Sequence, residues 1–311
     1  MNANAIPSLD KLSDLFTLES VKGFGPQKFK ELYEDGITPS QVLERPAELQ
    51  RFGKRGQEFR KQLEAMTSSN RADARERAKK QIDAARAHDG AIITYGDPTY
   101  PPILYASNLP VAALYARGNL GALTEPQAVA CVGSRKIRLP YTELHNAFAR
   151  RAIATGFVIV SGFATGADVI GHLAAASGHG HTIAVMPSGL DRPFPPEHKA
   201  IWHRFLRSES AVFVSEFGFG VGANALNLRK RNKMIVGLAL GVLVSQSTED
   251  GGAMNAYRFA MEQKKPVATF EDDGTPDTSG NELIAGSSAR VISTVLPHHD
   301  GVEWSAWLQT L

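Results

Sequence analysis

The sequence predicts an α/β protein: an extended Rossmann-like, mostly parallel sheet with helices on both faces, preceded by a small all-α region. Three observations predict it. From residue 91 onward, short runs rich in β-branched residues recur at 91–95, 111–116, 128–132, 157–160, 182–186, 211–215, 241–245 and 266–270. Most are apolar throughout rather than alternating, as strands buried on both faces are. Segments of helical pattern, such as YTELHNAFARRAIATG and GGAMNAYRFAMEQKK, separate most of these runs, which is the rhythm of βαβ units. Residues 8–66 lack such runs and read as helices instead.

Taken in order, that first region (1–66) places Leu9, Leu12, Leu15 and Phe16 on one helical face. A turn follows at Gly23-Phe24-Gly25-Pro26, then Phe29, Leu32 and Tyr33. The pattern is that of a helix-hairpin-helix or SAM-like domain. Gly23 and Gly25 would let the backbone turn tightly and offer amide groups to a phosphate, with Lys28 adding charge. The same pattern also suits a plain packing unit. Residues 67–90 contain RADARERAKKQIDAARAH, a charged run of good helix formers. It reads as an exposed connecting helix or as a basic face. Residues 91–300 form the Rossmann-like domain, and 301–311 a C-terminal tail.

Composition narrows the class. The chain has 311 residues, 43% of them hydrophobic, enough for one large domain and a small one. Thirty-four basic residues against 32 acidic ones give a net charge of +2, so a polyanion would need cations gathered on one face. The single cysteine, Cys131, sits in an apolar run and reads as core. The opening residues lack the pattern of a signal peptide, and no stretch approaches eighteen uninterrupted apolar residues. The expected location is the cytoplasm.

On a parallel sheet, ligands bind beyond the carboxyl ends of the strands. Four segments fall there. Gly133-Ser134-Arg135-Lys136 follows the strand 128–132 and combines close backbone approach, a hydroxyl and two cations. Ser161-Gly162-Phe163-Ala164-Thr165-Gly166 follows 157–160 and reads as an anion cradle, with Asp168 in the first helical turn, where capping also explains it. Arg229, Lys230, Arg231, Asn232 and Lys233 form the densest basic cluster. Cations at a helix start oppose the dipole, which favours a ligand over a merely solvated face. Gly251 and Gly252 follow 241–245. No GxGxxG, P-loop, HExxH or Cys/His metal spacing occurs, so no cofactor and no metal is expected. His172 shares a helix face with Asp168, and a core-edge role suits it best.

The order of these segments resembles the DprA/Smf family (DNA-processing protein A) over about residues 90–290. The carriers are Tyr95-Gly96-Asp97-Pro98-Thr99-Tyr100-Pro101-Pro102, Leu114-Tyr115-Ala116-Arg117-Gly118, Val132-Gly133-Ser134-Arg135 and the 161–168 turn with His172. Ser188-Gly189-Leu190-Asp191, Arg231-Asn232-Lys233-Met234-Ile235-Val236-Gly237-Leu238 and Gly280-Asn281-Glu282-Leu283-Ile284 complete the set. The resemblance implies binding of single-stranded DNA in a basic pocket, often as a homodimer, and loading of the recombinase RecA during natural transformation. It places Arg135 and the Ser161–Gly166 turn on the DNA backbone, with Arg231, Asn232 and Lys233 lining the pocket.

Three departures stand out. Thr165 replaces a usual Arg or Lys, Gly251-Gly252-Ala253-Met254-Asn255 replaces a Ser-Gly-Ser type segment, and the chain stops at 311 without a winged-helix-like domain. They weaken the transformation role more than DNA binding. They leave room for a DprA-like sensor or antitoxin in antiphage defence or a mobile element, acting on an operon-encoded partner. LOG-type phosphoribohydrolases share the fold class, but their catalytic Glu after the glycines is absent from Asp250-Gly251-Gly252-Ala253-Met254-Asn255-Ala256-Tyr257-Arg258. Without that carboxylate, developing oxocarbenium charge lacks its stabiliser, so a non-enzymatic binder is expected. Phe163 and Phe217 are candidates for base stacking or for core.

Overall fold

A computed structural model of the chain describes residues 5–107, 111–287, 293–298 and 302–311. Its contacts divide into two compact units, Met1–Tyr100 with Leu109–Tyr115, and Pro101–Asn108 with Ala116–Leu311.

The first unit contains α1 (Leu9–Glu19), α2 (Pro26–Glu34), α3 (Pro39–Glu44), α4 (Gly53–Glu64), α5 (Ser68–Ala87) and β1 (Gly90–Thr94). Ser8 caps α1 by accepting from the Lys11 amide at 3.2 Å. The turn into α2 is held by Phe24, which is buried edge-to-face against Phe29 and Phe59. Residues 67–90 are not the exposed connector that their charge predicts. Ala74, Ala78, Ile82 and Ala85 of α5 are buried, and the helix packs along α1. Alanines at this spacing form a face that lets two helices approach closely, so the run is core despite its charge.

The second unit contains α6 (Pro102–Ala106), β3 (Ala128–Val132), α7 (Tyr141–Ala154), β4 (Val158–Ser161), α8 (Ala167–Ser177), β5 (Thr182–Val185), α9 (Lys199–Leu206) and β6 (Ala211–Ser215). It continues with α10 (Ala225–Gly237), β7 (Gly241–Val244), α11 (Met254–Glu262), β8 (Val267–Phe270), α12 (Ser279–Gly286), β9 (Ser293–Leu296) and α13 (Val302–Gln309). Strand β2 (Ala113–Gly118) crosses the division after Tyr115. All eight predicted strands are present, and β9 is a ninth that the pattern of apolar runs does not mark.

Seven strands of this unit lie in the order β6-β5-β4-β3-β7-β8-β9, and each neighbouring pair is parallel. The chain enters at β3, winds outward through β4 and β5 to β6, then returns to β7 on the other side. Strand β3 therefore pairs with β4 (Ala128 opposite Val158) and with β7 (Val129 opposite Gly241). The connections diverge at this strand, which opens a crevice beyond its carboxyl end. The core under it includes Cys131, Phe148, Ile159, Leu243 and Phe270. Cys131 is fully buried, and burial raises its thiol pKa far above the ordinary range, as suits a core residue.

The 301–311 tail is also corrected. Trp304, Trp307 and Leu308 of α13 are buried in this core, with both indoles against Phe148. Two tryptophans this close to the chain end carry too much apolar area to stay in solvent. No helix among the described residues is long and apolar enough to cross a membrane.

Candidate nucleic-acid interface

Three strand-end turns are joined by backbone hydrogen bonds. The Ser134 amide, after β3, donates to the Gln246 carbonyl after β7 at 2.8 Å, and the Ala167 amide, at the start of α8, donates to the Ser134 carbonyl at 3.1 Å. The Ser134 hydroxyl accepts from the Lys136 amide at 3.0 Å, which tightens the turn that carries both cations. Gly166 has φ +80, and a Cβ there would lie 2.3 Å from the Ser134 carbonyl oxygen. Its glycine serves the approach of two turns to each other, rather than of a ligand.

Beneath the turns lies a buried ion pair. Arg231 and Asp168 are 5% and 7% exposed, with Nη1 3.7 Å from Oδ2. The Asp168 carboxylate also accepts from the Ala164 amide at 3.2 Å. Arg231 Nε and Nη1 have no hydrogen-bond partner among the described residues. Gly162 makes the pair possible: a Cβ there would sit 1.3 Å from Arg231 Nη1. Burial raises the Asp168 pKa although Arg231 opposes it, and burial lowers that of Arg231 although Asp168 opposes it. Desolvation is thus the leading influence on both partners, and such a buried pair is weak evidence for stabilisation.

The cleft above this pair has a volume of about 690 Å³, within the range of ligand sites. Of the predicted residues it is lined by Gly133, Ser134, Arg135, Lys136, Arg229, Arg231, Asn232, Gly251 and Gly252, and it adds Asp168, Ser247, Thr248, Asn255 and Asp277. Arg135, Lys136 and Arg229 are exposed and stand in no ion pair among the described residues. Asn232 and Asn255 both donate to the Gly252 carbonyl, at 3.4 and 3.3 Å, which ties α10 to the turn before α11.

Several predicted contacts lie elsewhere. Ser161 is buried, and its hydroxyl donates to the Cys131 carbonyl at 2.6 Å. Gly162, Thr165 and Gly166 do not line the cleft. Lys230 and Lys233 sit near Glu216, where they oppose the burial that raises its carboxyl pKa. Lys233 also lies 5.6 Å from the Phe259 ring. Helical periodicity is the reason: Leu228, Arg229 and Asn232 share one side of α10, and residues 230 and 233 another. Phe163 is fully buried among His198, Trp202 and Phe213, so it is core rather than a stacking platform. Its φ of +61 lies in the left-handed region, rare for a bulky residue. His172 is core too: Nδ1 donates to the Thr182 hydroxyl at 2.6 Å, which in turn donates to the Ile159 carbonyl.

In the first unit, Gly23 has φ +87, and Gly25 precedes α2. Lys28 is already engaged: its ammonium bonds both Glu31 oxygens at 2.8 and 2.9 Å and lies 4.6 Å from the Phe52 ring. No metal-capable cluster of three or more His, Cys, Asp or Glu occurs among the described residues.

Fold and cleft together define a Rossmann-like protein with a basic crevice at the topological switch point of its sheet. The family model described as DNA recombination-mediator protein A matches residues 91–298, and the chain belongs to that family. Protein Smf of Escherichia coli is 33% identical over 195 residues, covering 62% of this chain and 52% of that protein. DNA processing protein DprA of Streptococcus pneumoniae is 33% identical over 188 residues, 55% of this chain and 65% of that one. The chain spans about half the length of the first curated relatives it matches. Among solved structures, DprA from Streptococcus pneumoniae superposes with a TM-score of 0.70 at 22% identity, covering 93% of this chain and 96% of that one. DNA processing protein A from Helicobacter pylori, described by its single-stranded DNA binding mode, gives 0.60 at 21% identity, over 71% of this chain and 94% of that one. These two likenesses establish the fold.

Proposed function

We propose that the chain binds single-stranded DNA in the cleft beyond β3, β4 and β7, and acts in DNA processing by passing that strand to a recombinase of the RecA type. The observation that carries this reading is a set of three exposed cations that stand in no ion pair among the described residues: Arg135 and Lys136 on the turn after β3, which is stitched to its neighbours at the switch point, and Arg229 on α10 beside it. Backbone phosphates satisfy such cations, and glycine turns let the strand approach the main chain. The named DNA-processing relatives and the single-strand binding of the Helicobacter pylori protein support the same ligand. The reading is of binding without bond cleavage in the cytoplasm, with a homodimer as the working form. Both cleft carboxylates are paired with arginines, Asp168 with Arg231 and Asp277 with Arg138, which suits positioning better than acid–base work.

The test is fluorescence anisotropy with a labelled oligothymidylate across a salt series. Arg135→Ala and Arg229→Ala should each weaken binding by about tenfold. Each should flatten the slope of log K against log salt by about 0.7, the value for one phosphate of a single strand. Lys230→Ala, on the other side of α10, should leave both unchanged. Equal affinities and slopes in all four proteins would remove the cleft from the assignment.

A further inference from the structure

The loop after β8, residues 271–277 (EDDGTPD), carries four carboxylates in seven residues, and Asp277 lines the cleft. Arg138, on the segment after β3, is tied to this loop. Its Nη2 donates to Asp273 at 2.7 Å and to the Thr275 hydroxyl at 2.6 Å, its Nε to Asp277 at 3.2 Å, and its Nη1 to the Leu139 carbonyl at 3.2 Å. Its amide donates to Gln246 Oε1 at 3.0 Å, so its own backbone is fixed as well. Asp273 in turn accepts from the Thr275 amide and hydroxyl and from the Thr278 hydroxyl. Every guanidinium nitrogen of Arg138 thus has a partner, unlike Arg135, Lys136 and Arg229, which stand in no ion pair among the described residues. Arg138 meets two of these carboxylates, Asp273 and Asp277, with a single positive charge, which leaves this wall negative.

We propose that Asp277, backed by Asp273, is a strand-limiting wall that repels backbone phosphates from the β8 side of the cleft, and that Arg138 is held off the strand by the same carboxylates. This rests on the single-stranded DNA reading above and adds a direction to it. The strand follows the side of Arg135, Lys136 and Arg229, and its footprint ends at the acidic loop. Asp277 is well exposed, with 60% of its side chain accessible, so its repulsion is screened by salt and modest in size.

The experiment uses the full chain and the labelled oligothymidylate, at low and at high salt. Asp277→Asn should tighten binding about two- to fivefold at low salt, with the gain shrinking at high salt. Asp277→Glu, which keeps the charge, should bind as the unaltered chain does. Arg138→Ala should weaken binding in the unaltered background by uncovering the carboxylates, and weaken it less in the Asp277→Asn background. Unchanged or weaker binding by Asp277→Asn, in a protein whose melting temperature is unaltered, would overturn the wall. An equal loss from Arg138→Ala in both backgrounds would make Arg138 a direct phosphate contact and overturn its part. If the unaltered chain fails to bind the oligonucleotide at all, the DNA reading itself falls and this inference falls with it.

Discussion

Replacing Asp168 by alanine is expected to lower the stability of the sheet unit by about 3–5 kcal/mol, the usual cost of stranding a buried charge. Arg231 would keep its place under the turns, 5% exposed, with Nε and Nη1 lacking hydrogen-bond partners and its counter-charge gone. The loss is not the worth of the pair. Burial shifts both groups away from their charged forms, so a neutral replacement of both should be far less harmful. Asp168→Ala combined with Arg231→Met is therefore expected to recover most of the stability. Urea unfolding followed by tryptophan fluorescence reads this directly. All three tryptophans, Trp202, Trp304 and Trp307, lie in the sheet unit. A double variant as unstable as Asp168→Ala alone would show that the pair stabilises the fold after all.

Acid is expected to weaken the same unit well above the pH at which carboxylates protonate. Burial lowers the His145 pKa to about 4, and burial, with Arg231 next in effect, lowers that of His172 to about 3, against an ordinary value of 6.5. His145 Nδ1 contacts the Ser245 hydroxyl, and His172 holds Thr182, so both rings are fixed while neutral. In the unfolded chain each ring takes up a proton as pH falls through about 6.5, whereas in the folded chain it does not until far lower. The unfolded state then holds more protons, and stability falls with pH across that window. Each ring contributes about 1.4 kcal/mol per pH unit below 6.5. Together they should remove about 4 kcal/mol between pH 7 and pH 5. The raised carboxyls of Asp168 and Glu216 act in the opposite sense as pH falls. A His145→Gln/His172→Gln variant isolates the histidine part by losing this dependence. Equal slopes in the variant and the unaltered chain would count against it.

The sequence by itself determined the sheet: a strand buried on both faces must be apolar along its whole length, and that pattern is visible without a structure. It also pointed to the cleft, because ligands on parallel sheets meet the segments beyond the carboxyl ends, and those segments carry Gly133, Arg135 and, on α10, Arg229. The tertiary structure decided which residues of each cluster line the cleft. Arg229 and Arg231 are two positions apart, yet one is exposed and the other lies beneath the floor, because a helix rotates about 100° per residue. Gly162 and Gly166 looked like phosphate cradles, but one seats a guanidinium and the other lets two turns meet. Asp277 joins the cleft from more than a hundred residues along the chain, and Trp304 and Trp307 turn a short tail into core. Such contacts depend on which strands become neighbours, and local pattern carries no record of that.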